Sequence, residues 1–254
     1  MRNLVQTLIG AIALAIVVAA ADPAYVGKWK FNATKSSLAG DTVTIENSSG
    51  GAWHFNSQGF AYSFKLDGKP NPMPDGGTTA WTATSTTVWD VTNKMKDKVT
   101  TTYHLALNGD VLSVSGKSMK PEGGSMDFSS TYKRVSGGPG FAGKWRSAEV
   151  KAPATTLEIA PSGANGVTMR DDAGPICNAQ FDGKDSPALG RMAGSSYTYA
   201  LKKLPNSFEM TTKVAGKPLY VEVYAVSADG KMLTISGTPS DAKDEPYKVV
   251  FDRQ

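Results

Sequence analysis

The sequence predicts an all-β protein built as two tandem small antiparallel up-and-down β-barrels of about eight strands each. Three observations carry this expectation. The chain contains an internal duplication: Tyr25-Val26-Gly27-Lys28-Trp29 returns 116 residues later as Phe141-Ala142-Gly143-Lys144-Trp145, and Leu112-Ser113-Val114-Ser115-Gly116 returns as Leu233-Thr234-Ile235-Ser236-Gly237. Apolar residues then alternate with polar ones at a period of two, as half-buried strands require. Finally, Asp67-Gly68, Asn108-Gly109, Asp182-Gly183 and Asp229-Gly230 stand between alternating runs, where a two-residue hairpin needs residues that tolerate positive φ.

Read from the first residue, Met1-Arg2-Asn3 followed by the apolar run Leu8–Ala21 has the basic start, apolar core and small-residue cleavage site of a secretory signal peptide. Cleavage near Ala20 or Ala21 predicts a secreted or periplasmic chain, with no other run long enough to span a membrane. Residues 22–136 form the expected first barrel. Its strands are predicted at 25–31, 42–47, 52–57, 60–66, 79–83, 86–92, 98–107, 111–117 and 126–134. Phe60, Tyr62, Phe64 and Leu66 alternate with small or polar residues, and so do Val99, Thr101, Tyr103, Leu105 and Leu107. Ser136-Gly137-Gly138-Pro139-Gly140 reads as a linker, centred on 137–140, because glycine and proline interrupt pairing there. Residues 141–254 form the expected second barrel. A repeat of this length is far longer than a solenoid unit, so each copy is expected to own a core.

Composition narrows the function. The chain has 27 basic and 23 acidic residues, a formal charge of +4, with neither half strongly basic, so nucleic acid is not an expected partner. Cys177 is the one cysteine and excludes an internal disulfide; it is expected as a small buried apolar side chain. The two histidines, His54 and His104, fall opposite apolar strand neighbours and are expected on the solvent face. No Cys or His cluster with metal spacing, no nucleophile elbow and no phosphate loop is present, so neither a metal nor a cofactor is expected. Asp171-Asp172 and the pair Asp182 and Asp185 are expected as solvated turn acids.

Gly27-x-Trp29 with Arg134, and Gly143-x-Trp145 with Arg253, resemble the lipocalin and wider calycin pattern. Gly27 to Ser36, with the Asp-Gly-Lys turns and the final Arg253-Gln254, is similar to a group of exported bacterial lipocalin-like proteins, once per copy. That resemblance implies a tryptophan plugging the floor of each barrel, a last-strand arginine across its ring, a small-ligand cavity, and no catalytic residues. The arginine of each copy is expected over the tryptophan of the same copy. The second copy departs from the pattern after Trp145, where it reads Arg146-Ser147-Ala148-Glu149.

The aromatic content points to the candidate site. Trp53, Tyr62, Phe64, Trp89 and Tyr103 in the first copy, and Tyr197, Tyr199 and Tyr224 in the second, occupy inward strand positions and are the expected ligand-binding residues. The resulting expectation is a non-catalytic exported protein that holds a small, largely apolar or aromatic molecule, with the first copy the richer in tryptophan. A ligand-free interaction module with filled barrels is the alternative. An enzyme would need an inward titratable group, and Glu222, in phase with Tyr220 and Tyr224, is the one candidate.

Overall fold

The computed structural model describes residues 23–37, 42–151, 156–240 and 246–254; the expected signal peptide lies outside them. The chain forms β1 (Gly27–Phe31), β2 (Thr42–Asn47), β3 (Trp53–Ser57), β4 (Phe60–Phe64), β5 (Asp67–Pro72), β6 (Thr78–Ala83) and β7 (Val88–Met95). Next come β8 (Lys98–Asn108), β9 (Val111–Met119), β10 (Ser125–Ser136), β11 (Gly143–Lys151), β12 (Thr156–Pro161), β13 (Gly166–Asp171) and β14 (Gly174–Gln180). The chain finishes with β15 (Asp185–Pro187), β16 (Tyr197–Leu204), β17 (Ser207–Val214), β18 (Lys217–Val226), β19 (Met232–Pro239) and β20 (Tyr247–Arg253). All recorded strand pairs are antiparallel, and each of two sheets has ten strands. The end strands of each sheet, β4 with β5 and β14 with β15, approach one another, so both sheets are nearly closed barrels.

Ten strands rather than eight follow from segments the alternating pattern hides. Strand β5 reads Asp67-Gly68-Lys69-Pro70-Asn71-Pro72, and its glycine and prolines disguise it, yet it pairs with β6 across a bulge between Asp67 and Pro70. Proline is tolerated because β5 is an edge strand. Asp67-Gly68 and Asp182-Gly183 therefore do not close hairpins; each turns the chain across the seam of its barrel. The Asp67 and Asp182 carboxylates accept from the Lys69 and Lys184 backbone N–H groups at 3.0 and 2.9 Å, and both glycines have φ of 72°. Asn108-Gly109 and Asp229-Gly230 do join hydrogen-bonded neighbours, β8 to β9 and β18 to β19.

The two sheets exchange their first strands. One sheet runs β4-β3-β2-β11-β10-β9-β8-β7-β6-β5, and the other runs β14-β13-β12-β1-β20-β19-β18-β17-β16-β15. Strand β1 lies between β12 and β20, and β11 lies between β2 and β10. Barrel 1 is thus the continuous segment 42–151, and barrel 2 combines the segment around β1 with 156–254. The repeat boundaries at 136 and 141 are boundaries of the duplication, but they are displaced by one strand from those of the folded units.

The exchange corrects the partners of the floor residues. Arg253 lies 4.1 Å over the ring of Trp29, and Arg134 lies 4.0 Å over that of Trp145, so each arginine covers the tryptophan of the other copy. Both tryptophans are fully buried, and their indole N–H groups donate to the carbonyls of Tyr25 and Phe141 at 3.0 Å. Arg134 donates to the Ala142 and Gly140 carbonyls at 2.8 and 2.7 Å and to Asp110 Oδ1 at 2.7 Å. Arg253 repeats this with the carbonyls of Val26 at 3.1 Å, Gly230 at 2.6 Å, and Ala24. The glycine of each Gly-Lys-Trp motif has a physical reason. Gly27 and Gly143 have φ of 147° and 149°, and a Cβ would meet the guanidinium at 2.7 Å from Arg253 Nη1 or 3.0 Å from Arg134 Nη1.

The loop after Trp29 belongs to barrel 2 as well. Asn32 accepts from the Lys35 N–H at 3.2 Å and donates to Asp252 at 2.6 Å, while Ser36 Oγ accepts from the Val250 N–H at 2.9 Å. Asn-x-x-x-Ser is therefore a clamp onto β20. Copy 2 lacks it and instead continues β11 for nine residues.

Candidate functional site

Barrel 1 contains a cavity of about 540 Å³. Trp81 of its wall belongs to an aromatic core cluster in which Phe64 stacks on Trp81 at 4.1 Å and Phe141 on Trp89 at 3.9 Å, together with the buried Trp145. The inward positions of β7, β9 and β10 mix small and large side chains, with Val91, Val114, Ser118 and Ser130 in the wall beside Met95, Leu112, Phe128 and Tyr132. Barrel 2 covers the mouth. Tyr197 from β16 stacks on Phe60 at 6.2 Å with 19° between the rings, and Leu219 and Tyr220 from β18 complete the wall.

Hydrogen bonds fix this cover. Ser196 donates its backbone N–H to the Asp75 carbonyl at 2.8 Å and its hydroxyl to the Pro74 carbonyl at 2.9 Å. Arg191, in the short 3-10 turn Gly190–Met192, donates to Ser118 Oγ at 3.1 Å. The wall also carries polar and charged side chains, among them Asp75, Asn93, Lys94, Thr100 and Thr101. The Asp75 side chain accepts from the Gly77 N–H at 2.9 Å, with the residue 7% exposed, and its burial raises the carboxyl above the usual range. Burial likewise raises the Tyr62, Tyr103 and Tyr197 hydroxyls, and the Asp75 charge adds to each rise. The Trp81 indole N–H and Asn93 Oδ1 in the same wall are buried without a hydrogen-bond partner, Trp81 lying close to the Tyr62 hydroxyl but outside bonding geometry.

Of the eight expected ligand-binding residues, three line this cavity: Tyr62, Tyr103 and Tyr197. Trp53, Phe64 and Trp89 pack into the floor cluster beneath it. Tyr199 and Tyr224 lie in the core of barrel 2, where Tyr224 stacks on Phe208 at 4.5 Å, so they are packing residues. Alternation placed Tyr62 and Tyr103 correctly, because both point inward from regular strands. Asp75 and Arg191 were missed: each lies on a connection between strands, outside any period, and Pro72-Met73-Pro74-Asp75-Gly76-Gly77 reads as a solvated turn.

The interior of barrel 2 holds a packed apolar core that includes Met169, Cys177, Leu201, Phe208 and Met210. Cys177 is fully buried, and burial pushes its thiol up to about 12, which leaves it uncharged and apolar in behaviour. Glu222 is also inside barrel 2, 9% exposed, accepting from the Tyr224 hydroxyl at 3.0 Å and the Tyr247 hydroxyl at 2.6 Å. Burial raises its carboxyl, and the two tyrosine bonds offset part of that rise. It is not in the wall of the barrel 1 cavity. His104 pairs with Asp90 at 2.8 Å on an exposed face, and His54 approaches Ser63 at 3.4 Å on another.

Among the described residues no helix is long and apolar enough to cross a membrane. Comparison with known proteins finds no matching family model, no matching curated protein and no matching solved structure.

Proposed function

We propose that this chain is an exported lipocalin-like binding protein that holds one small, largely apolar or aromatic molecule inside barrel 1. The observation that carries this reading is the cavity of about 540 Å³, which lies within the ordinary range for small-molecule sites and whose wall joins aromatic and aliphatic side chains to polar ones. Burial of apolar ligand surface supplies the affinity, at about 25 cal/mol per Å². The tyrosine hydroxyls and the partnerless Trp81 N–H and Asn93 carbonyl supply orientation. The apolar core of barrel 2, together with the place of Tyr197, Leu219 and Tyr220 in the wall of the barrel 1 cavity, supports one site per chain to which the second barrel contributes part of the wall. Glu222, tied to two tyrosines away from that cavity, supports a structural rather than a catalytic assignment for the acid.

Titration of the signal-free protein with the neutral fluorescent probe N-phenyl-1-naphthylamine tests this. Saturable uptake of one probe per chain, quenching tryptophan emission and weakened in Tyr103→Ala, is the expected result. No uptake in the intact chain overturns the reading.

A further inference from the structure

We infer that the molecule held in barrel 1 carries a protonated nitrogen, seated against Asp75 and the tyrosine rings at the covered mouth, with its apolar body directed towards Trp81, Leu105 and Leu112. This rests on the binding reading above and names its ligand class.

Asp75 is the one acid among the residues of the cavity wall. Its backbone is pinned: the Met73 N–H donates to the Gly77 carbonyl at 2.9 Å, the Gly76 N–H to the Met73 carbonyl at 3.1 Å, and Ser196 of barrel 2 holds the Asp75 carbonyl. Gly77 lets this loop lie against β7, since a Cβ there would sit 2.6 Å from the Lys94 carbonyl oxygen. The carboxylate is therefore held in the wall rather than free to swing into solvent. One backbone N–H satisfies one of its oxygens, and among the described residues no lysine, arginine or histidine side chain forms an ion pair with it. A carboxylate buried without a countercharge is costly, and a cation arriving with the ligand supplies what the protein omits.

The neighbours suit the same chemistry. Tyr62, Tyr103 and Tyr197 surround this end of the cavity closely enough for Asp75 to act on all three hydroxyls. Aromatic faces attract cations, most strongly where water is excluded. The basic residues of the wall are placed differently. Arg191 is exposed and bonded to Ser118, and its charge acts on Asp171 as well as on the Tyr103 hydroxyl. Lys94 follows the bulge that separates it from Asn93 and is half-buried beside the Asp75 loop.

Displacement of N-phenyl-1-naphthylamine from the full mature chain by three indoles with the same two-carbon side-chain spacer tests the inference. These are tryptamine, which is cationic, tryptophol, which is neutral, and indole-3-propionate, which is anionic. The expected order is tryptamine first by about tenfold or more, tryptophol next and the propionate last. Asp75→Asn keeps the acceptor for the Gly77 N–H and is expected to bring tryptamine down to the level of tryptophol, the amine-to-alcohol ratio being read within the variant so that any change in its probe affinity cancels. Equal displacement by amine and alcohol, or a preference for the propionate, overturns the cationic ligand and leaves the binding reading standing. Absence of probe uptake overturns both.

Discussion

The two barrels share a repeated sequence frame, the same ten-strand sheet and the same tryptophan floor, yet one encloses a cavity and the other is packed. The difference lies in where each places its large side chains. Barrel 1 packs Phe64, Trp81, Trp89 and Phe141 into one cluster and lines the remaining space with rings such as Tyr62, Tyr103 and Phe128 interspersed with Val91, Val114, Ser118 and Ser130. Barrel 2 distributes Met169, Leu201, Phe208, Met210 and Tyr224 along its depth. A duplicated barrel can thus keep its frame through the Gly-Lys-Trp and arginine contacts while the placement of its inward side chains differs. Barrel 2 also contributes Tyr197, Leu219 and Tyr220 to the wall of the space that barrel 1 opens.

The sharpest way to break this comparison is through the exchanged tryptophans. Trp145 belongs to copy 2 by sequence but floors the hollow barrel; Trp29 belongs to copy 1 but floors the filled one. Truncation of either fully buried indole to alanine is expected to cost about 3–5 kcal/mol. Trp145→Ala is expected to abolish probe uptake as well, whereas Trp29→Ala retains it wherever the chain is still folded. Denaturant titration paired with N-phenyl-1-naphthylamine binding separates the two, and loss of uptake in Trp29→Ala alone would contradict the exchange.

Unequal packing predicts unequal costs within the barrels too. Phe208→Ala opens a void in a filled core and is expected to cost about 3–5 kcal/mol, while Tyr62→Ala, at the edge of existing space, is expected to cost less than about 2 kcal/mol. Comparable losses by thermal or chemical unfolding would show that barrel 1 is packed in solution. Probe affinity should respond in the opposite order, falling in Tyr62→Ala and holding in Phe208→Ala.

A smaller effect distinguishes the polar interior of barrel 2. Because the folded state raises the Glu222 carboxyl, it binds a proton more tightly than the unfolded chain does, where the carboxyl has its usual pKa near 4.3. Stability is therefore expected to fall as pH rises from about 4.3 through the raised folded value, and to level off above it. Asp75 and Asp171, raised by burial, contribute with the same sign. Glu222→Gln, which can still bond both tyrosine hydroxyls, is expected to show a shallower decline than the parent in melting temperature against pH. An unchanged profile would place an already ionised carboxylate in the filled barrel.

How much of this was legible in sequence follows from where each residue stands. Regular alternation exposed Tyr62 and Tyr103, and nine of the ten strands across residues 25–136 follow from it. The tenth, β5, was hidden because Pro70 and Pro72 are acceptable only on an edge, and edges are decided by the closure of the whole sheet. The exchange itself was illegible for a simpler reason. Tyr25 to Trp29 and Phe141 to Trp145 carry the same pattern, so either strand satisfies either barrel, and the choice depends on the chain connections. Asp75 escaped because a Pro-Asp-Gly turn is ordinarily solvated, and only the docking of Ser196 from the other barrel buries it.

The finest test of the comparison is energetic coupling between arginine and tryptophan. With Arg134 lying 4.0 Å over Trp145, a double-mutant cycle using Arg134→Met and Trp145→Phe is expected to return about 0.5–2 kcal/mol. The same cycle between Arg134 and Trp29, its tryptophan within the sequence repeat, is expected to return zero within error, since the two floor different barrels. Met keeps much of the arginine stem and Phe keeps a ring, so the cycle removes the charge–indole contact with little loss of packing. Coupling to Trp29 and not Trp145 would mean that each copy closes on its own first strand, restoring two barrels bounded by the sequence repeat. Barrel 1 would then owe its floor to β1, and copy 2 would contribute to the cavity only from above.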